Sequence, residues 1–241
     1  MNKRGIAYCV GVGPGDPELM TLKAVRLIRE NDVIAAPGEE SVACSIAAAS
    51  VPEIEEKEYL LINTPMTRDR AKVDEAHREA AKRLEGYLDQ GRNVVYLTLG
   101  DPTLYCTFGG IQRCLERDGY AVELVNGVPS FCATAARLNM PLAEWDESLH
   151  IVPAAHQPEI ELDREGTCVL MKAASRMKAV REQLRRSGRR VGMVENCGME
   201  GERVFHSADE IPDNAGYFST IIAKENRAAP PDAQGRKRET T

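Results

Sequence analysis

Three short segments rich in glycine and proline are where this chain's main chain is best suited to chemistry: Gly11-Val12-Gly13-Pro14-Gly15-Asp16-Pro17, Gly100-Asp101-Pro102 and Gly127-Val128-Pro129-Ser130. Glycine lets a backbone come close to a ligand and proline fixes a turn, so a loop with several of both is costly to specify unless something must approach it. Asp101 adds a carboxylate able to accept hydrogen bonds from hydroxyls or amines. The first loop invites comparison with the dinucleotide fingerprint, and it fails. A Gly-x-Gly-x-x-Gly pattern begun at Gly11 needs a third glycine where Asp16 stands, and a P-loop needs Gly-Lys-Ser/Thr, which is absent. Asp16 also sets a negative charge where a pyrophosphate would lie. A plain strand-to-helix turn accounts for the first loop alone, and Gly-Asp-Pro alone is an ordinary turn. Three such loops after three strands of one sheet are more specific, because they can face a common crevice.

Other reactive side chains are dispersed. The four histidines (His77, His150, His156, His206) are scattered, with His77 on the polar side of a predicted helix, and no metal site is expected from them. The seven cysteines (Cys9, Cys44, Cys106, Cys114, Cys132, Cys168, Cys197) lack the spacing of a disulfide framework or a zinc site, which points to a reducing cytoplasm. Cys106 and Cys114 read as small buried hydrophobes on a helix. Arg68, Arg70, Arg137, Lys172 and Arg176 could meet carboxylates of a substrate or be ordinary solvated side chains.

The elements that must position these loops are legible from apolar periodicity. Residues 5–12 read as a buried strand. Thr21 suits the N-cap of a helix to about residue 30, with Leu22, Val25 and Ile28 on its apolar face and Lys23, Arg26 and Arg29 in water. A second strand spans 32–36. A long helix over 67–90 carries the stripe Val73, Ala76, Ala80, Leu84 and Leu88, with Gly91 at its C-terminal end. Residues 93–99 form the clearest buried strand and run directly into Gly100-Asp101-Pro102. Another strand at 122–125 leads into the third loop and a helix to about Leu138. Beyond residues 141–146 the pattern changes: strands are predicted at 149–152, 168–171, 190–195, 202–206 and 217–224, with helices at 155–162 and 175–187.

This alternation predicts an α/β protein of two domains, residues 1–143 and a smaller domain at 144–225 with a mixed sheet, followed by a disordered tail at 226–241. The chain has 241 residues, 43% hydrophobic and 28% charged, which suffices for two packed cores. A formal net charge of -6 argues against a general nucleic-acid or membrane-surface binder. No stretch approaches the roughly 20 apolar residues of a membrane span, and the apolar run at 6–12 is too short for a signal-peptide core.

The segment from Val10 to Ala24 (VGVGPGDPELMTLKA) resembles the opening signature of the tetrapyrrole methylases, and residues 99–105 (LGDPTLY) resemble their second signature. The resemblance covers nearly all of residues 5–224. Asp101 to Thr107 (DPTLYCT), Val128-Pro129-Ser130-Phe131-Cys132-Ala133, Asp146-Glu147-Ser148-Leu149 and Tyr217-Phe218-Ser219-Thr220 are similar to the branch that methylates carbon 20 of precorrin-2 or its cobalt-loaded form. That branch generally has Ser in place of Cys106, a nearly isosteric change. The resemblance implies the tetrapyrrole methylase fold, two α/β domains with S-adenosylmethionine in the cleft between them, and a cytoplasmic homodimer acting on a small tetrapyrrole. It implies that Pro14, Gly100, Asp101, Leu104, Pro129, Ser130, Met171, Cys197 (in Asn196-Cys197-Gly198) and Thr220 neighbour the cofactor, with Asp101 as a polar anchor and candidate catalytic group. Many relatives carry Gly where this chain has Cys197. No Ser-His-Asp or metal constellation is expected, because the adjoining pyrrole nitrogens make the ring carbon nucleophilic. The competing expectations are a sibling methylase acting at another ring position, a nicotinamide oxidoreductase and a non-catalytic binding module.

Overall fold

A computed structural model of the chain describes residues 3–38, 41–65, 67, 69–157 and 159–226, without the side chain of His156. By its contacts the chain divides into two units. The first runs from the amino terminus to Ala133 and takes in Asn196–Arg203; the second takes Thr134–Glu195 and continues from Val204.

The first unit is built on five strands, β1 (Ile6–Gly11), β2 (Val33–Pro37), β3 (Glu58–Ile62), β4 (Val94–Thr98) and β5 (Ala121–Val125), in the order β3-β2-β4-β1-β5. Every pairing in it is parallel. Such a sheet is buried on both faces, and the near-continuous apolar runs of its strands reflect this. Alternate residues serve opposite cores. Ala7, Cys9, Val33, Ala35, Val94 and Tyr96 pack with α3 (Arg70–Leu88) and α4 (Phe108–Arg117). Val10, Ile34, Ala36, Val95 and Leu97 pack on the other face with α1 (Leu22–Glu30) and α2 (Val42–Ser50). The chain therefore leaves β1 toward one face and its neighbour β4 toward the other. This makes the gap between their carboxyl ends a topological switch point, where open α/β sheets bind ligands.

Local chemistry sets the helix ends. Thr21 accepts a hydrogen bond from the Ala24 N–H at 3.1 Å and caps α1, as expected. The buried stripe of α1 is Ala24, Leu27 and Ile28, whereas Leu22 in its first turn is 89% exposed, so the apolar face predicted through Leu22 is rotated. Asp69 caps α3 by accepting from the N–H groups of Ala71 and Lys72. The buried residues of α3 are Ala80, Ala81, Leu84 and Leu88.

The second unit holds β6 (Leu149–Pro153), β7 (Thr167–Met171), β8 (Arg190–Glu195), β9 (Arg203–Phe205) and β10 (Ser219–Lys224), in the order β6-β7-β10-β8-β9. It is a mixed sheet: β6 and β7 are parallel, and β10 runs antiparallel to both β7 and β8. Its core joins Cys168, Leu170, Val191, Met193 and Ile221 to Met177, Val180 and Leu184 of α6 (Met177–Ser187). The connecting α5 (Ser130–Arg137) follows the third glycine loop. The helix predicted at 155–162 is only a 3-10 turn, Ala154–His156. The sequence places Pro158 inside that expected helix, where it removes an N–H donor. Apart from Asn226, the tail at 226–241 lies outside the described residues. Among the described residues no helix is long and apolar enough to cross a membrane.

Candidate active site

The three loops follow the adjacent strands β4, β1 and β5, and the first unit brings them into backbone contact at the carboxyl edge of the sheet. Gly13 and Gly100 form an isolated bridge, the Gly100 N–H donating to the Gly13 carbonyl at 2.7 Å and the Gly13 N–H to the Gly100 carbonyl at 3.3 Å. A Cβ on Gly11 would stand 2.4 Å from the Gly100 carbonyl oxygen, and one on Gly127 would stand 2.1 Å from the same atom. Neither clash can be relieved by moving a side chain, because the obstruction is main chain. The sequence marks these loops as places of close approach; the structure shows that they first approach one another.

A fourth segment joins them. A Cβ on Gly15 would lie 2.2 Å from the Cys197 carbonyl oxygen. Asn196-Cys197-Gly198, expected on the second domain, thus groups by its contacts with the first unit. Within this segment the Gly198 N–H donates to Glu202 Oε2 at 2.8 Å.

Asp101 ties the second loop to the third. It is buried, at 6% exposure. Its Oδ1 accepts from the Thr103 N–H at 2.8 Å and from the Thr103 hydroxyl, and its Oδ2 accepts from Asn126 Nδ2 at 3.0 Å and the Gly127 N–H at 3.1 Å. Burial pushes the carboxyl pKa up, but the Thr103 hydroxyl and N–H, the Asn126 amide and the Gly127 N–H together hold it below the ordinary carboxylate value. Both oxygens are therefore engaged by the protein's own donors. Sequence reasoning missed Asn126 and Thr103; the available signals were an Asn immediately before Gly127 and the Asp-x-Thr spacing of an Asx turn.

Of the other predicted neighbours in the first unit, Pro14 and Gly100 are buried, while Leu104, Pro129, Ser130 and Cys197 are half-buried. In the second unit Met171 and Thr220 stand directly opposite each other on β7 and β10. Cys106 precedes α4 rather than lying within it, with its Sγ 3.3 Å from Thr98 Oγ1 and accepting from the Phe108 N–H at 3.4 Å. The Cys9 thiol, donating to it, holds the Cys106 pKa down to about 6 against the opposing effect of burial. His77 is half-buried, not on a solvated face: a Cβ on Gly110 of α4 would meet its ring at 2.0 Å, and burial followed by the Arg113 charge lowers its pKa. Arg70 is exposed and Arg68 lies outside the described residues.

Residues 7–211 match the tetrapyrrole (corrin/porphyrin) methylases. The chain belongs to this family. It is 35% identical over 224 residues to a Methanocaldococcus jannaschii protein named "Probable cobalt-precorrin-2 C(20)-methyltransferase", covering 90% of this chain and 95% of that one. It is 31% identical over 233 residues to the Salmonella typhimurium cobalt-precorrin-2 C(20)-methyltransferase, covering 92% and 97%. A crystal structure of uroporphyrin-III C-methyl transferase from Thermus thermophilus, complexed with S-adenyl homocysteine, superposes with a TM-score of 0.70 at 25% identity, over 92% of this chain and 98% of that one.

Proposed function

We propose that this protein transfers a methyl group from S-adenosylmethionine to carbon 20 of precorrin-2 or cobalt-precorrin-2, a step of cobalamin biosynthesis. The observation that carries this reading is the cradle made by Gly11, Gly100 and Gly127 at the switch point, in a chain 35% and 31% identical to proteins named for that reaction. The cradle suits this cofactor better than a dinucleotide. S-adenosylmethionine has no phosphate and bears positive charge, so Asp16 and the ionised Asp101 favour it where they would repel a pyrophosphate.

When bound, S-adenosylmethionine supplies an electrophilic methyl on a positively charged sulfur. The protein's part is to bind, orient and exclude water. Pro14, Gly100, Asp101, Leu104, Pro129, Ser130 and Cys197 of the first unit, with Met171 and Thr220 of the second, are the proposed cofactor neighbours. Asp101 acts as a positioning residue: with both oxygens occupied and its proton held weakly, it fixes the second and third loops against each other. Holding two reactants in line converts a bimolecular step into an effectively unimolecular one, and this supplies much of the acceleration when the acceptor carries its own electron push. The enzyme works in the cytoplasm as a homodimer.

Titration calorimetry with S-adenosylhomocysteine and, separately, NADP tests the cofactor assignment. Saturable one-site binding of the former and none of the latter is expected. Binding of NADP alone contradicts the proposal. Light scattering at twice the chain's mass is expected for the dimer.

A further inference from the structure

Nine glycines take left-handed backbone angles in this structure, and among the described residues only five other residues do: Tyr105, Asn139, Trp145, Lys172 and Asn196. Asparagine tolerates this region; Tyr105 and Trp145 carry the same backbone strain as Lys172 but are exposed, at 42% and 95%. Lys172 differs from all of these. It is charged, it is half-buried, and its φ is 56°. A straight-chain side chain in this conformation is strained by its Cβ, and strain of this kind persists where the residue is wanted for its function. The chain uses glycine at turns elsewhere, so a turn alone does not explain a lysine here.

The place of this residue is equally specific. Lys172 immediately follows Met171, the last residue of β7, at the end of the second sheet where Met171 pairs with Thr220 and Ser219 pairs with Glu195. Glu195 is buried and accepts from the Gly216 N–H at 2.6 Å, which fixes this end of the sheet. Lys172 thus stands at a rigid strand end, next in sequence to Met171, whose register partner is Thr220, two of the proposed cofactor neighbours. Among the described residues of the set Arg70, Arg137, Lys172 and Arg176, Lys172 is the one with a left-handed backbone.

We infer that Lys172 is a specificity residue whose ammonium group receives a carboxylate of the tetrapyrrole substrate. This rests on the methyl-transfer reading above. Glycine would relieve the backbone and remove the charge, asparagine would keep the tolerated backbone and remove the charge, and arginine would keep the charge.

The test uses the full chain with K172G, K172N and K172R. K172G should melt about 2–4 °C higher, the shift expected when strain of this type is relieved in a protein of this size. K172G and K172N should both raise KM for the tetrapyrrole about tenfold or more, the size of one charge-assisted hydrogen bond, with a much smaller change in kcat. K172R should restore most of the affinity, and S-adenosylhomocysteine binding should be the same in all four proteins. Esterifying the substrate carboxylates should weaken binding to the wild type and leave K172G and K172N little changed. An active wild type whose KM is unaltered in K172G and K172N overturns the inference, as does a lower melting temperature for K172G, which would mean that the fold itself holds the lysine. A wild type that binds S-adenosylhomocysteine but transfers no methyl overturns the underlying reading instead.

Discussion

Four donors converge on the Asp101 carboxylate, and every one belongs to the loops it joins. Removing the acceptor strips four charge-assisted hydrogen bonds from the Thr103 N–H, the Thr103 hydroxyl, Asn126 and the Gly127 N–H, of which the exposed Thr103 and Asn126 can turn to water while the Gly127 N–H is half-buried. Asp101→Ala is therefore expected to cost about 2–4 kcal/mol of stability and to weaken S-adenosylhomocysteine binding at least about tenfold through loss of loop order. Chemical denaturation and calorimetry on the same samples measure both. Wild-type affinity in Asp101→Ala would contradict the positioning role. The acid behaviour of the wild type follows from the same contacts. The folded carboxyl pKa lies below its ordinary value of 3.8, so the folded state binds this proton less readily than the unfolded chain. The stabilisation is fully present above about pH 4 and is lost as the pH falls through the folded pKa. The stability difference between wild type and Asp101→Asn should accordingly be flat from neutral pH to about pH 4–5 and then close.

At the level of elements, the site depends on main-chain contact among loops that follow β1, β4 and β5. Gly127→Ala puts a carbon 2.1 Å from the Gly100 carbonyl oxygen, closer than any real contact, so the loops must part. We expect Gly127→Ala and Gly11→Ala each to lose S-adenosylhomocysteine binding and to lower the melting temperature, whereas Gly86→Ala on α3, where an added Cβ meets nothing within 4 Å, should be neutral or slightly stabilising. Scanning calorimetry with and without the ligand separates these outcomes. The loops were legible because glycine and proline are the residues that punctuate a chain, and the strands around them were legible because a sheet buried on both faces gives uninterrupted apolar runs. Two elements of the first unit left little signal. The helix α2, VACSIAAAS, has no polar face from which to read a period, and β3, EYLLI, lies at a sheet edge where only Leu60 and Ile62 are buried. The apolar face of α1 was misplaced because periodicity does not distinguish an exposed Leu22 in the first turn from a buried one. Of the partners of Asp101, Thr103 is two residues away and carries only the local signal of an Asx turn, whereas Asn126 is 25 residues distant in the chain and its contact exists only once β1, β4 and β5 lie side by side.

At the scale of the whole molecule, the first unit carries the glycine cradle and the second presents Met171, Lys172 and Thr220 at one end of a mixed sheet. The absence of a phosphate-binding pattern, the acidic loop residues and the family membership point to one kind of cofactor, and the relatives' names point to one ring position. The proposed dimer, dissociated by dilution, should lose activity in parallel with mass if the assembly is needed for function, which light scattering and turnover measured over one dilution series will show.

Methyl transfer to carbon 20 can be observed in a single reaction. Anaerobic incubation of the protein with precorrin-2, with and without cobalt inserted, and S-adenosylmethionine carrying a carbon-13 methyl tests it most directly, with the product read by mass spectrometry and NMR. One added methyl is expected, located at carbon 20. A methyl at any other ring position, or none despite bound S-adenosylmethionine, would contradict it.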